Sequence, residues 1–333
     1  MRHVLLIGGA GYIGSVMTVH FLKKGYKVTV MDNFIYNHQF SVLPYMGDPD
    51  YTFMYGDIAN TEDLKKIPGD VDDVILLAGL VGDPVTKKYP SESKLINDRG
   101  VKQCMDYFNG KGIGKLVFIS TCSNYGLIDE KEVADEDYPL NPLSLYAEDK
   151  VDNEMYLLSN KGNVDYTGVV LRFGTAFGLS PRMRFDLSIS DFTRNIFMGE
   201  ELLVYDPDTW RPYCHIRDFS RLLETVLEAD DELVHFEVFN AGGNENSYTK
   251  RMIVEEILRI LPEGKVSYND HGSDPRNYRV SFSKVKNRLG FEPEYMIRDG
   301  IMELVEAMKT GLFGDAKTSD KEYGNYEINY INK

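Results

Sequence analysis

Val4-Leu5-Leu6-Ile7-Gly8-Gly9-Ala10-Gly11-Tyr12-Ile13-Gly14 is the stretch that decides the fold. Its first four residues are apolar without a break, as in a parallel strand buried on both faces. The turn that follows satisfies GxGxxG through Gly9, Gly11 and Gly14, and GxxGxxG through Gly8, Gly11 and Gly14. Glycine serves three needs there: a tight turn, close backbone approach to a pyrophosphate, and packing of helix on strand. The helix that opens at residue 12 adds free N–H groups and a partial positive charge for phosphates. Asp32 ends the next strand, 18 residues beyond Gly14, where a carboxylate accepts the ribose hydroxyls of a dinucleotide. It would repel a 2′-phosphate and no arginine follows it closely, so the expected cofactor is NAD rather than NADP.

Outward from this unit the same rhythm continues. Strands are predicted at 4–7, 27–31, 51–55, 74–78, 116–120 and 167–171, with helices at 12–24, 92–108 and 145–160. The fold class is α/β, a Rossmann-type doubly wound parallel sheet with a smaller C-terminal α/β lobe. Residues 1–175 are read as the NAD-binding domain and 176–333 as mainly the substrate-binding lobe. A segment near 212–243 is expected to return to the sheet, with Asn240-Ala241-Gly242-Gly243 as strand and turn. Further helices are predicted at 249–260 and 301–308. From Lys317 the chain is polar with three tyrosines, either a frayed tail or a strap across a partner subunit. There is no internal repeat and no low-complexity block.

Composition excludes several classes. The net charge of −15 disfavours nucleic acid or an anionic membrane as a partner, while a small anion remains possible where arginines converge. Three cysteines without a CxxC pair and six scattered histidines predict no disulfide scaffold and no metal. The N-terminus lacks a long apolar run with a cleavage site, and residues 74–82 are too short to span a bilayer. A cytoplasmic protein is expected.

Tyr146-Ala147-Glu148-Asp149-Lys150 places a tyrosine and a lysine one helical turn apart on one face. A nearby ammonium and the positive nicotinamide ring would favour the phenolate, making Tyr146 a base for a sugar hydroxyl. Ser120-Thr121-Cys122-Ser123-Asn124-Tyr125-Gly126 follows a strand, so its hydroxyls point into the crevice beyond the carboxyl edge of the sheet. Asp57, in Gly56-Asp57-Ile58, reads equally as a turn residue and as an adenosine contact.

Together GGAGYIG, Asp32, GDI, LAG, STCSNYG, YAEDK and LRFGTAFG resemble the extended short-chain dehydrogenases, which include nucleotide-sugar epimerases and 4,6-dehydratases. The resemblance runs to about Pro293. It implies bound NAD, a nucleoside-diphosphate sugar as substrate, and Thr121, Tyr146 and Lys150 as the catalytic trio. Cofactor contacts are then expected from Gly8, Gly11, Tyr12, Ile13, Gly14, Asp32 and Asn33. Asp57, Ile58, Leu77, Ala78, Gly79 and Asn97 join them, as do Tyr146 and Lys150 themselves. A homodimer is implied, packed through the helices at 92–108 and 145–160, with Leu95, Val101, Met105, Met155 and Leu158 as apolar candidates.

Two departures narrow the reading. Cys122-Ser123 stands where the 4,6-dehydratases carry an Asp-Glu acid–base pair, which disfavours elimination. Gly174 stands where many relatives have a sugar-contacting asparagine. Arginine clusters mark the substrate side, since a guanidinium grips phosphate with two parallel bonds. Arg211, in an RxxxHxxD context with His215 and Asp218, and Arg276 resemble diphosphate ligands; Arg182 and Arg184 read equally as ligands or as surface ion pairs. Trp210 reads as packing or as a stacking partner. The expected activity is oxidation of a sugar hydroxyl, at C4, by a 4-epimerase or a 4-dehydrogenase of bacterial surface-sugar synthesis. A dehydratase or 4-keto reductase is the alternative, and an NAD-sensing regulator without turnover is the alternative from another class.

Overall fold

The computed structural model describes residues 1–129, 131–270, 272, 276–314 and 323–330. Asp274 and Pro275, which precede Arg276, and residues 317–322 and 331–333 of the C-terminal tail lie outside them. The strands are β1 (His3–Ile7), β2 (Lys27–Asp32), β3 (Tyr51–Tyr55), β4 (Asp73–Leu76), β5 (Lys115–Thr121), β6 (Thr167–Phe173), β7 (Thr175–Phe177), β8 (Leu202–Tyr205), β9 (Trp210–His215), β10 (Glu237–Ala241), β11 (Ser247–Thr249) and β12 (Val266–Asn269).

Seven of these form one parallel sheet in the order β10-β6-β5-β4-β1-β2-β3. The expected doubly wound α/β architecture is therefore the one observed. Val4, Leu5, Leu6, Val74, Ile75 and Leu76 have no exposed surface, because helices cover both faces of the sheet. The order reverses between β1 and β4, and ligands bind at the carboxyl ends of strands at such a point. After β9 the chain crosses back through the helix Ile216–Glu228, which packs on the helix Gly14–Lys23, and β10 then pairs with β6.

The second lobe holds a three-stranded sheet, β11-β9-β7, and a parallel pair, β12-β8. Its own core packs the helices Ser188–Phe197, Lys250–Ile260 and Ile297–Lys309 around Phe177, Phe185, Tyr213 and Ile253. Among the described residues no helix is long and apolar enough to cross a membrane.

The single helix predicted over 92–108 is corrected. A short helix, Pro90–Ser93, passes into a π-helical stretch, Lys94–Gly100, before the helix Val101–Phe108. Within the widened turns Asn97 reaches across to Leu80, and Gly100 packs against Ile58.

Candidate active site

A cavity of about 610 Å³ lies along the carboxyl edge of the sheet and under the second lobe. At one end is the glycine-rich turn. Gly8 has φ +82°, and a Cβ there would lie 2.7 Å from the Ala78 backbone; at Gly14 it would lie 2.5 Å from Gly9. Main-chain packing thus demands glycine at both. A Cβ at Gly11 would meet only the Gly8 carbonyl oxygen, at 3.4 Å, so its absence leaves room on the cavity side. No side chain caps the helix Gly14–Lys23 and no acidic residue lies in its first turn. Its dipole is left for an incoming anion.

Asp32 is held at the strand end by N–H groups of Ala10 (3.1 Å) and Phe34 (2.8 Å), with His38 3.4 Å away. Asn33 donates to Asp57 at 3.2 Å, while Asp57 accepts from the Ala59 N–H at 2.8 Å. Asp57 therefore makes the turn and lines the cavity at once. Tyr12, Ile13, Ile58, Leu77, Ala78 and Gly79 complete this end. A cradle shaped for a diphosphate, beside a fixed carboxylate for ribose hydroxyls, fits NAD.

Tyr146 and Lys150 enter from the helix Leu145–Ser159, whose first turn is capped by Ser144. Thr121 ends β5; its hydroxyl oxygen accepts from the Ser123 N–H at 3.1 Å and lies 3.0 Å from the Ser123 hydroxyl. Lys150 donates to the Ile119 carbonyl at 2.7 Å, and its Nζ lies 5.8 Å from the Tyr146 ring centre. Burial lowers the Lys150 ammonium to about 8. Burial pushes the Tyr146 phenol up, with Arg184 the foremost opposing charge. Cys122 points away from the cavity, its thiol donating to the Arg172 carbonyl at 3.0 Å, whereas Ser123 lines it.

The substrate side carries Arg211, on β9 and over the Tyr278 ring at 4.9 Å, and Arg276, 3.4 Å from Asp83. Arg182 and Arg184 come from the loop after β7. Six cationic side chains face four carboxylates around the cavity, so a chain of net charge −15 offers a locally positive site to a diphosphate ligand.

The model of the NAD dependent epimerase/dehydratase family matches residues 4–242. The chain belongs to this family. Its cofactor is NAD. Protein CapI of Staphylococcus aureus is 27% identical over 334 residues, covering 91% of this chain and 97% of its own. The structure of dTDP-glucose 4,6-dehydratase from Bacillus anthracis str. Ames, in complex with NAD, matches with a TM-score of 0.82 at 26% identity over 93% of this chain and 97% of that one. UDP-glucuronic acid 4-epimerase from Bacillus cereus, in complex with UDP-glucuronic acid and NAD, matches with a TM-score of 0.83 at 25% identity, covering 93% and 99%.

In this epimerase/dehydratase chain several expected site residues are placed differently by tertiary packing. Asn97 does not line the cavity: its amide group accepts from the Leu80 N–H (2.7 Å) and donates to the Leu80 carbonyl (3.0 Å), holding the loop after β4 from behind. Arg184 is already paired as a fork with Asp186, at 2.9 and 2.6 Å. At Gly174 a Cβ would lie 3.0 Å from the Pro212 backbone, so the close approach of β9 leaves no room for a side chain; Thr175 lines the cavity beside it. Trp210 does not line the cavity, and the Arg279 guanidinium covers its ring at 5.6 Å. His215 is structural, capping the helix Ile216–Glu228 and meeting Glu303 at 3.1 Å.

Asp83, Tyr36, Asn325 and Tyr326 line the cavity without having been singled out in the sequence. Asp83 opens the helix Asp83–Lys88, seven residues past the end of β4, so a rule that looks only at strand ends does not find it. Nothing local marks Asn325 or Tyr326. Their place depends on how the tail folds back.

Proposed function

We propose that this protein oxidises the C4 hydroxyl of a nucleoside-diphosphate sugar and then reduces the ketone again, as a 4-epimerase. The observation that carries the reading is that Thr121, Tyr146 and Lys150 share one cavity with Asp32 at one end and Arg211 and Arg276 at the other. NAD, when bound, supplies the hydride acceptor and, in the return step, the donor. Tyr146, as phenolate, takes the hydroxyl proton, and Thr121, steadied by Ser123, orients the reacting oxygen. Lys150 holds the end of β5 through Ile119 and keeps a positive charge beside the ring. When the ketone is reduced from its other face, Tyr146 returns the proton to the same oxygen. Arg211 and Arg276 grip the diphosphate while the sugar turns. Elimination of water is disfavoured, because Cys122 faces the core and Ser123 offers only a hydroxyl.

The test is to mix the protein with UDP-, dTDP-, GDP- and CDP-sugars, follow the near-ultraviolet absorbance of NADH, and analyse the product. A product of unchanged mass and altered retention, with no lasting NADH, is expected. A product lighter by two hydrogens with stoichiometric NADH would instead make it a 4-dehydrogenase, and loss of water a dehydratase. No conversion of any sugar would favour the NAD-sensing regulator. Arg211→Ala is expected to raise KM for the nucleotide sugar about 10–100-fold with kcat little changed, as loss of a charge-assisted phosphate contact does. Initial rates across sugar concentration measure it, and an unchanged KM would remove Arg211 from the diphosphate site.

We further infer a homodimer in the cytoplasm. Val101 and Met105 are spent in the chain's own core and Leu158 packs partly against it, which leaves Leu95 and Met155 as the apolar part of the contact face. Light scattering is expected to give about twice 38.0 kDa, and a monomer mass would overturn it. The free, buried Cys104, Cys122 and Cys214 suit a reducing compartment.

A further inference from the structure

Residues 323–330 run from the second lobe across the cavity to the nucleotide-binding half of the same chain. The Phe185 N–H donates to the Tyr323 carbonyl at 2.7 Å, and the Asn325 N–H to Asp186 at 3.2 Å. The Asn325 side chain then donates to the Val81 carbonyl at 3.0 Å, in the loop after β4. Glu327 meets Lys88 at 2.5 Å and the Tyr89 hydroxyl at 2.7 Å. Finally the Asn329 N–H donates to the Ile35 carbonyl at 2.8 Å, and burial with the nearby charge of Asp57 pushes the Tyr330 phenol up. The segment therefore bridges both walls of the cavity, and Asn325 and Tyr326 line it. Residues 323–330 are thus a strap on their own chain.

Arg182 lies beneath this strap. Its guanidinium donates to the Gly324 carbonyl at 3.3 Å and sits 4.9 Å from the Tyr36 ring centre. The loop that carries it is pinned to the phosphate cradle: Ser180 donates to the Tyr12 carbonyl at 2.7 Å and meets Ser15 at 3.1 Å, and the Tyr12 hydroxyl donates to the Gly178 carbonyl at 2.7 Å. Arg184 has Asp186 as its counter-charge, but Arg182, 4% exposed, has no carboxylate within ion-pair distance among the described residues. A buried cation without a carboxylate in direct contact is costly, and Asp186 and Asp32 attract Arg182 only from a distance. Burial and the like charge of Arg184 accordingly lower its pKa to about 10. Beside it Asn325, 7% exposed, keeps a side-chain oxygen with no hydrogen-bond partner.

We propose that residues 323–330 and Arg182 form a clamp that retains NAD through turnover, with the Arg182 guanidinium facing the diphosphate of the cofactor rather than that of the substrate. The proposal rests on NAD being the cofactor and not on which sugar is converted. Its consequence deepens the epimerase reading: a seated strap keeps one cofactor molecule for both half-reactions, whereas a dehydrogenase must exchange it.

The experiment loads the full chain and three variants with NAD and measures dinucleotide dissociation, trapping released NAD with a consuming enzyme and quantifying what stays bound after denaturation. The variants are a chain ending at residue 322, Asn325→Ala and Arg182→Ala. Each is expected to release NAD roughly tenfold faster or more than the full chain, the effect of losing one or two good polar anchors. Circular dichroism checks that each is folded, and the two point variants carry the test where the truncated chain is not. Equal dissociation from the full chain and from folded Asn325→Ala would overturn the strap. Unchanged NAD dissociation in Arg182→Ala, together with weakened binding of UDP and dTDP, would overturn the assignment of Arg182 to the cofactor. Since the readout is bound dinucleotide, a failure to convert any sugar leaves this result standing by itself.

Discussion

Tyr146→Phe is expected to lower kcat by about 10²–10⁴-fold, the usual share of a positioned proton-transfer group. The ring stays, so its packing, the NAD content and KM for the nucleotide sugar should change little. Only the oxygen that accepts the proton is lost. The hydroxyls of Thr121 and Ser123, which also line this part of the cavity, bond one another. Burial pushes the Tyr146 phenol up, so the active phenolate grows with pH, and kcat/KM of the natural protein should rise from neutral pH. The Phe variant should lose that dependence. Steady-state rates across pH, with bound NAD measured in parallel, test both points. A variant within tenfold of the natural rate would move the base elsewhere.

The largest effect on stability is expected beneath the site. Arg172, 5% exposed, donates to Glu154, 1% exposed, through Nε at 3.2 and 3.0 Å and through a terminal nitrogen at 2.7 Å. Its other terminal nitrogen reaches the Tyr125 hydroxyl (3.0 Å) and the Glu136 carbonyl (3.2 Å). Glu154 also accepts from Ser120 and from Asn124, the latter at 2.8 Å, so the pair ties the 120–126 loop to the helix of Tyr146 and Lys150. Arg172→Met would leave a buried carboxylate without its counter-charge. The expected loss is about 3–5 kcal/mol, read as a lower urea midpoint. Because Thr121 rides on the same loop, kcat should fall with it. Adding Glu154→Leu to Arg172→Met should recover part of the stability, since an apolar pair avoids the stranded charge. A single variant as stable as the natural protein would show that the network is not what holds the loop.

The cofactor half was legible because its information is local. A continuous apolar run ends in glycines that the backbone geometry requires, and Asp32 follows at the end of the next strand. Tyr146 and Lys150 share a face because helical pitch alone puts i and i+4 together. Such patterns lie within one turn, or one strand and its neighbour, and the chain carries them on its face. Even so, helix geometry could not tell that Lys150 spends its ammonium on Ile119, which is 31 residues away.

The remaining assignments needed contacts between distant parts of the chain. Arg182 and Arg184 differ by two positions and look alike, yet Asp186 makes its hydrogen-bonded ion pair with Arg184, while the loop of Arg182 is pinned to the cradle 168 residues earlier. Asn97 was predicted at the cofactor and stands behind the wall, because Leu80 takes its amide on both sides. The tail is polar and without period, so nothing in it names a partner; Val81, 244 residues before Asn325, does so in the folded chain. The sequence by itself determined the sheet, the cradle and the tyrosine–lysine pair, since their geometry follows from backbone periodicity. Which charges stay unpaired and what closes over the cavity were decided by the tertiary structure, because both depend on which remote groups packing brings within hydrogen-bond reach.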